Sequence, residues 1–302
     1  MSIAFTLSPS LAAAEAAEDF FFNPDTYREQ LILADRSGFS SVVVDHTGGA
    51  LANLDVAANV ARVTDAMTII VTHVAGVIAP TVSARQLAYL DRLTEGRLAL
   101  RFASGGPDEG LTSHETGWRQ TDEYLTLLKR LWSNVYPFDH EGEFYSVRVG
   151  YVPEKGPQGL SISLRIAATT GVAMKVAARH ANVVELVPGA VQDVANQIAR
   201  VRSLASGFGR AGKIRFAVPI TVEQLVAGRL HGSWHQPALA ERAVLALLPY
   251  VEAGVSEFMI GDLRTAETMR FVADEIGDLL RNSARRIPAS PAVRWHHHRH
   301  SA

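Results

Sequence analysis

Cysteine is absent from this 302-residue chain, which excludes disulfides, thiolate metal sites and a cysteine nucleophile. Charge of one sign is also lacking. Lys and Arg number 29 against 31 Asp and Glu, a net charge of −2 with the histidines neutral, so nothing draws the chain generally toward nucleic acid or an anionic membrane. The composition favours small molecules as partners. No apolar run reaches the roughly 18 residues of a membrane span, and the first residues carry acidic side chains where a signal peptide needs basic ones. The expectation is a cytoplasmic protein with no nucleic-acid or membrane partner. H-E-x-x-H, G-x-S-x-G, the P-loop and G-x-G-x-x-G are all missing, so no metal site and no nicotinamide-binding Rossmann unit are expected.

What is present is alternation. With 47% hydrophobic residues the chain can bury a large core. Apolar β-rich runs lie near 3–7, 41–46, 67–75, 98–104, 162–168, 182–187, 214–222 and 256–262. Helical periodicity follows near 24–37, 53–63, 81–94, 118–132, 172–180, 191–208, 237–253 and 265–281. Eight strand–helix units in strict alternation predict an α/β fold, a (β/α)8 TIM barrel, as one domain over residues 1–282. Two stretches break the rhythm. Residues 133–161 form a long excursion, expected to cover a site near the barrel mouth. The tail, 283–302, is rich in Pro, Arg and His, including His296, His297, His298 and His300, and reads as a disordered segment.

Barrel enzymes place their chemistry at the C-terminal ends of the strands. Those ends read Asp45-His46, Thr72-His73, Ser104-Gly105-Gly106, Thr169-Thr170-Gly171, Pro188-Gly189, Thr221 and Gly261-Asp262. Thr169, Thr170 and Gly171 stand just before a helix, where hydroxyls and free first-turn N–H groups suit a phosphate; an ordinary N-cap is the other reading. His46 and His73 sit where a general base works, or serve as hydrogen-bonded structure.

Strand parity adds Arg101. Leu98, Leu100 and Phe102 share one face, so packing them under helices turns Arg101 into the barrel. A guanidinium there needs a partner, and Asp45 and Glu185 are the candidates. The pair either sets the core alone or lets Arg101 contact a bound anionic or carbonyl group.

Within 80–106, PTVSARQLAYLDRLTEGRLALRFASGG, helix Leu and Ala residues step by three at Ala84, Leu87, Leu90 and Leu93, and Gly96 suits the left-handed end of that helix. This stretch resembles the P-x-x-x-A-R-x-x-A-x-L-D-x-L-S-x-G-R segment of luciferase-like flavin monooxygenases. TDEYLTLLKRLW with FDHEGEFYSV, KVAARHANVVEL and the PQG at 157–159 agree in order, with the alkanesulfonate monooxygenase branch as the nearest pattern. The resemblance implies a barrel that uses reduced FMN from a separate flavin reductase to activate O₂ and oxygenate a small organic substrate, and a homodimer. Carried over position by position, it implies that Thr72 and His73 support the flavin ring and that Arg101, Ser104 and Gly105 lie near it. Trp118, Thr169, Thr170 and Gly171 fall on the phosphate-binding positions, and His73, Arg101 and His46 are the catalytic candidates.

The chain also departs from that branch. Pro219 and Thr221 stand where an Arg and a His serve the substrate, Leu263 replaces a Tyr, and Leu51 or a neighbour replaces a Cys. Sulfonate chemistry is therefore not expected. Three functional readings follow: a two-component FMN-dependent monooxygenase on another substrate, an oxidoreductase using the deazaflavin coenzyme F420, and a non-catalytic flavin-binding partner subunit.

Overall fold

Strands rich in Val, Ile, Leu and Phe are buried on both faces, as parallel strands under helices must be. The computed structural model describes residues 3–11, 14–23, 27–45, 50–103, 114–225, 237–261, 263 and 265–286. β1 (Ala4–Leu7) leads through a 3₁₀ turn, Pro9–Leu11, to α1 (Ala14–Phe22) and α2 (Tyr27–Arg36). β2 (Ser41–Val44) is followed by α3 (Ala50–Val63), β3 (Thr68–Thr72) by α4 (Pro80–Leu93), and β4 (Leu98–Phe102) by α5 (His114–Ser133). A hairpin of β5 (Phe138–Glu141) and β6 (Ser146–Gly150) comes next. β7 (Ser163–Ala167) precedes α6 (Gly171–His180), and β8 (Val183–Glu185) precedes α7 (Val191–Ser206). β9 (Arg215–Thr221) precedes α8 (Val222–Leu225) and α9 (Pro237–Ala253), and β10 (Glu257–Gly261) precedes α10 (Ala266–Arg270), a π-helical turn at Phe271–Ile276 and α11 (Gly277–Ala284). The strands close in the order β1-β2-β3-β4-β7-β8-β9-β10, each neighbour parallel, so the barrel read from the alternation is the fold.

Register fixes what faces inward. Val43, Ile70, Ala99, Val183, Ala217 and Met259 form a small apolar layer inside the barrel, separate from the main core beneath the helices. Around it the lumen is polar. Arg165 pairs with Glu257 through Nη2 at 2.8 Å and with Glu185 through Nε at 3.2 Å. Glu257 in turn accepts from Thr6, whose hydroxyl meets Ser41 at 2.7 Å. Each buried charge therefore meets an opposite charge or a hydroxyl, the condition for keeping ions inside a fold.

The motif residues of 80–106 brace the barrel from below. Gly96 takes φ 79°, ending α4 in the left-handed region where a Cβ is costly. Arg97 then donates to Ala61 O at 2.9 Å and Thr64 Oγ1 at 3.0 Å, capping the end of α3. Ala84, Leu87 and Leu90 are buried, but Leu93 is 46% exposed. Steps of three drift by 60° against the 100° helical turn, so Leu93 lies opposite Ala84 and cannot share its face.

The excursion at 133–161 does not cover the mouth. It leaves the end of α5 and returns to the start of β7, which places its roots on the floor side of the barrel. From there it packs outward along α4 and α5. Arg85 donates to Tyr151 O, Arg92 donates to Glu154 O, and Glu123 accepts from the backbone N–H groups of Phe144 and Tyr145. Expecting a cover over the site took an α-to-β link for a β-to-α one.

Candidate functional site

At the opposite pole, the 3₁₀ turn at Pro9–Leu11 packs over the ends of β2, β9 and β10. Gly261 makes that possible, since a Cβ there would lie 2.6 Å from Leu11 Cβ. One side of the mouth is thus filled. Among the described residues, the ends of β3, β4, β7 and β8 bring Thr72, Arg101, Thr169 and Glu185 to the other side.

Arg101 points into the barrel as its parity required. Its Nε donates to Glu185 Oε2 at 2.8 Å, and its Nη1 donates to Asp45 Oδ2 at 2.8 Å and to Thr72 Oγ1 at 3.3 Å. Burial works against its charge, but Glu185 and Asp45 outweigh it and raise the pKa, so the guanidinium stays charged. Glu185 is likewise held ionised: burial opposes its charge, and Arg101 and Arg165 prevail. Nε and Nη1 are thus fully engaged. Nη2 has no partner among the described residues, and the side chain keeps 16% exposure. Among the described residues, therefore, one edge of a fixed, charged donor has no partner.

The second element is the start of α6. Thr170 is its N-cap and accepts from Ala173 N at 3.3 Å. The N–H groups of Gly171 and Val172 have no partner among the described residues, the usual condition of a helix's first turn. Arg200 of α7 comes close enough that a Cβ on Gly171 would sit 3.1 Å from its Nη2. Two N–H groups with no partner among the described residues, the Thr170 hydroxyl, the Arg200 guanidinium and the positive end of the α6 dipole meet here, a donor set suited to a phosphate. Arg200 was not anticipated, because no local motif marks a residue on the following helix.

His73 does not join this group. The parity that turns Thr72 inward turns His73 outward, beneath α5, where its Nε2 meets Tyr124 OH at 2.8 Å and its ring stacks on Tyr124. It is 2% exposed, and burial lowers its pKa to about 4. A neutral imidazole facing away from the lumen is placed as structure, not as a base at the mouth. Trp118 is also fully buried, with no partner for its Nε1 among the described residues. His46, Ser104 and Gly105 lie outside the described residues.

Comparison with known proteins agrees with this architecture. The family model for luciferase-like monooxygenases matches residues 1–248. Among solved structures, a riboflavin lyase with a modified FMN and riboflavin superposes with a TM-score of 0.75 at 15% identity, covering 94% of this chain and 92% of that one. The EDTA monooxygenase of Chelativorans sp. BNC1 gives 0.75 at 13% identity, with 94% of each chain covered. An F420-dependent secondary alcohol dehydrogenase with an F420–acetone adduct gives 0.70 at 16% identity, covering 92% of this chain and 99% of that one. At these identities the likeness is one of fold.

Proposed function

The chain belongs to the luciferase-like monooxygenase family, and from that premise we propose a flavin-dependent monooxygenase of a small organic molecule, served by a separate flavin reductase and O₂. The observation that carries the reading is the donor set at the start of α6, where Gly171, Val172, Thr170 and Arg200 suit a flavin phosphate. In this reading, bound reduced FMN supplies the activation of O₂ and the oxygen transfer to the substrate. The chain's own work is binding and orientation. Thr169 and Thr170 with the first-turn N–H groups hold the phosphate, and Arg200 balances its charge. Arg101, held by Asp45, Thr72 and Glu185, presents Nη2 to a carbonyl of the ring or substrate. Because all three anchors are buried and two of them, Asp45 and Glu185, form ion pairs with Arg101, the donor is fixed before the ligand arrives, which is how a site avoids an ordering cost on binding.

The proposal takes the barrel as one domain over residues 1–282 and the working form as a homodimer. Anaerobic titration with FMN and reduced FMN, followed by oxygen uptake measured with and without candidate substrates, tests it. Tight binding of reduced FMN and substrate-dependent oxygen uptake are expected; failure to bind either form overturns it. Pro219 and Thr221, which bring no ionisable side chain to the end of β9, favour a second reading, a flavin-binding partner subunit. Copurification with an active homologue whose turnover depends on this chain would distinguish the two.

A further inference from the structure

A groove of about 550 Å³ runs from the first turn of α6 outward between α5, α6 and the tip of the β5–β6 hairpin. It starts where the phosphate subsite ends, at Gly171 and Val172. Four carboxylates line it, Glu115, Asp122, Glu123 and Glu143, against three cations, Arg119, Lys175 and Arg179. Two of those cations are already matched: Arg119 pairs with Glu143 at 2.7 Å and Arg179 with Asp122 at 2.5 Å. Burial works against both Asp122 and Glu123, but His180 and Arg179 hold the carboxyl of Asp122 below its ordinary range, and His140 with the backbone N–H groups of Phe144 and Tyr145 does the same for Glu123. Glu115 is exposed and has no ion partner among the described residues.

The subsite and the groove thus differ in sign. The subsite is cationic through Arg200 and the helix dipole, whereas the groove carries one carboxylate more than its cations neutralise. Its room is ample, so charge rather than size decides what extends into it. FMN ends at a phosphate monoester, which carries close to two charges and places both in the subsite. Coenzyme F420 continues past a singly charged phosphodiester into a chain of glutamyl carboxylates. That chain would leave the subsite either along the groove or into solvent.

We propose that the groove selects a flavin that ends at its phosphate over one with a polyanionic tail, with Glu115 and Glu143 as the specificity-determining residues. The inference rests on the phosphate subsite proposed above. It also separates the two cofactor classes represented among proteins of this fold.

The test is anaerobic fluorescence titration of the full chain with four ligands: riboflavin, FMN, the tail-free and phosphate-free deazaflavin, and F420 bearing several glutamates. The phosphate of FMN is expected to tighten binding over riboflavin by about tenfold or more. Phosphate plus tail on the deazaflavin is expected to bring less than about threefold. In the double variant Glu115→Lys with Glu143→Gln, F420 is expected to tighten by about tenfold while FMN changes by less than about threefold, and raised salt is expected to shrink the difference. Both positions are exposed, so an unchanged melting temperature confirms an intact fold. If F420 gains over its tail-free form as much as FMN gains over riboflavin, or if the double variant leaves the ratio unmoved, the inference is overturned. Equal binding of riboflavin and FMN would overturn the phosphate subsite instead. Binding of none of the four would remove the flavin site itself, and this inference with it.

Discussion

Asp91 accepts two hydrogen bonds from Gln158, one from the backbone N–H and one from Nε2, both at 2.8 Å. Two separate pieces of sequence, the L-D of the 80–106 stretch and the PQG of the excursion, are thereby tied together beneath the barrel. Gln158 also donates to Leu98 O at 2.7 Å, at the start of β4. The approach is tight: a Cβ at Gly156 would lie 2.2 Å from Asp91 Oδ2.

This clasp predicts a purely structural phenotype for Asp91→Ala. The carboxylate is fully buried, and its loss leaves two donors without their acceptor, costing about 2–4 kcal/mol. Urea denaturation should show the loss of stability, while flavin affinity at the far pole of the barrel stays within about twofold of the parent. A variant that loses flavin affinity but keeps its stability would contradict the assignment.

Glu185 joins the floor of the barrel to its mouth, because one carboxylate serves Arg165 below and Arg101 above. Glu185→Leu takes one partner from each of two guanidiniums, leaving Arg101 with Asp45 and Arg165 with Glu257, and removal of one partner from a buried ion network costs about 3–5 kcal/mol. The neutral Glu185→Gln, which retains one acceptor, should cost less and still loosen Arg101. Comparing flavin affinity with stability in the Gln variant separates the two roles. A purely structural Glu185 would lower the unfolding free energy and leave affinity alone.

His73 sets a pH dependence of defined sign. Its folded pKa, about 4, lies below the ordinary 6.5, so between those values the unfolded chain binds a proton that the folded chain refuses. Stability is thus fully present above pH 6.5 and falls as the pH drops toward 4, by about 3 kcal/mol over the window at about 1.4 kcal/mol per unit. His180 is shifted in the same direction, chiefly by burial, and adds to the same slope. His73→Gln, which retains a group able to reach Tyr124 but cannot titrate, should flatten the curve measured by denaturation at pH 4.5, 5.5 and 6.5. An unchanged slope would show that His73 is solvated in the folded state.

The physical reason these features differ in legibility lies in how far each signal travels along the chain. Alternation of β-rich and helical runs is local, so the barrel could be read from sequence; parity turned Arg101 into the barrel, and Asp45 and Glu185, each near the end of its own run, were its candidate partners. The residues that make the 80–106 motif recognisable, Asp91, Gly96 and Arg97, turn out to brace helices and floor. They report the fold, not the chemistry. Sequence leaves His73 open between a base and hydrogen-bonded structure because proximity to a strand end says nothing about direction, and one step of parity separates the lumen from the helix layer. Arg200 and the carboxylates of the groove were invisible because they meet only when α5, α6 and α7 pack. The hairpin at 138–150 was hidden for a different reason: its strands are only 4 and 5 residues long, and a single side chain of each, Phe138 and Val147, joins the core.

Gly171 offers the sharpest separation of binding from stability. At the first position of α6 the replacement Gly171→Ala favours the helix slightly by propensity, but the new methyl would sit 3.1 Å from Arg200 Nη2 and push that guanidinium off the first turn. Stability should therefore change by less than about 1 kcal/mol, while affinity for FMN falls by about tenfold, the scale of one charge-assisted contact. Riboflavin, which has no phosphate, should bind the variant as it binds the parent. Thr170→Val gives the complementary result, because loss of the cap to Ala173 costs about 1 kcal/mol of stability together with FMN affinity. Measuring FMN and riboflavin against both variants by fluorescence quenching decides the matter: if Gly171→Ala weakens the two ligands equally, Arg200 and the start of α6 do not hold the phosphate.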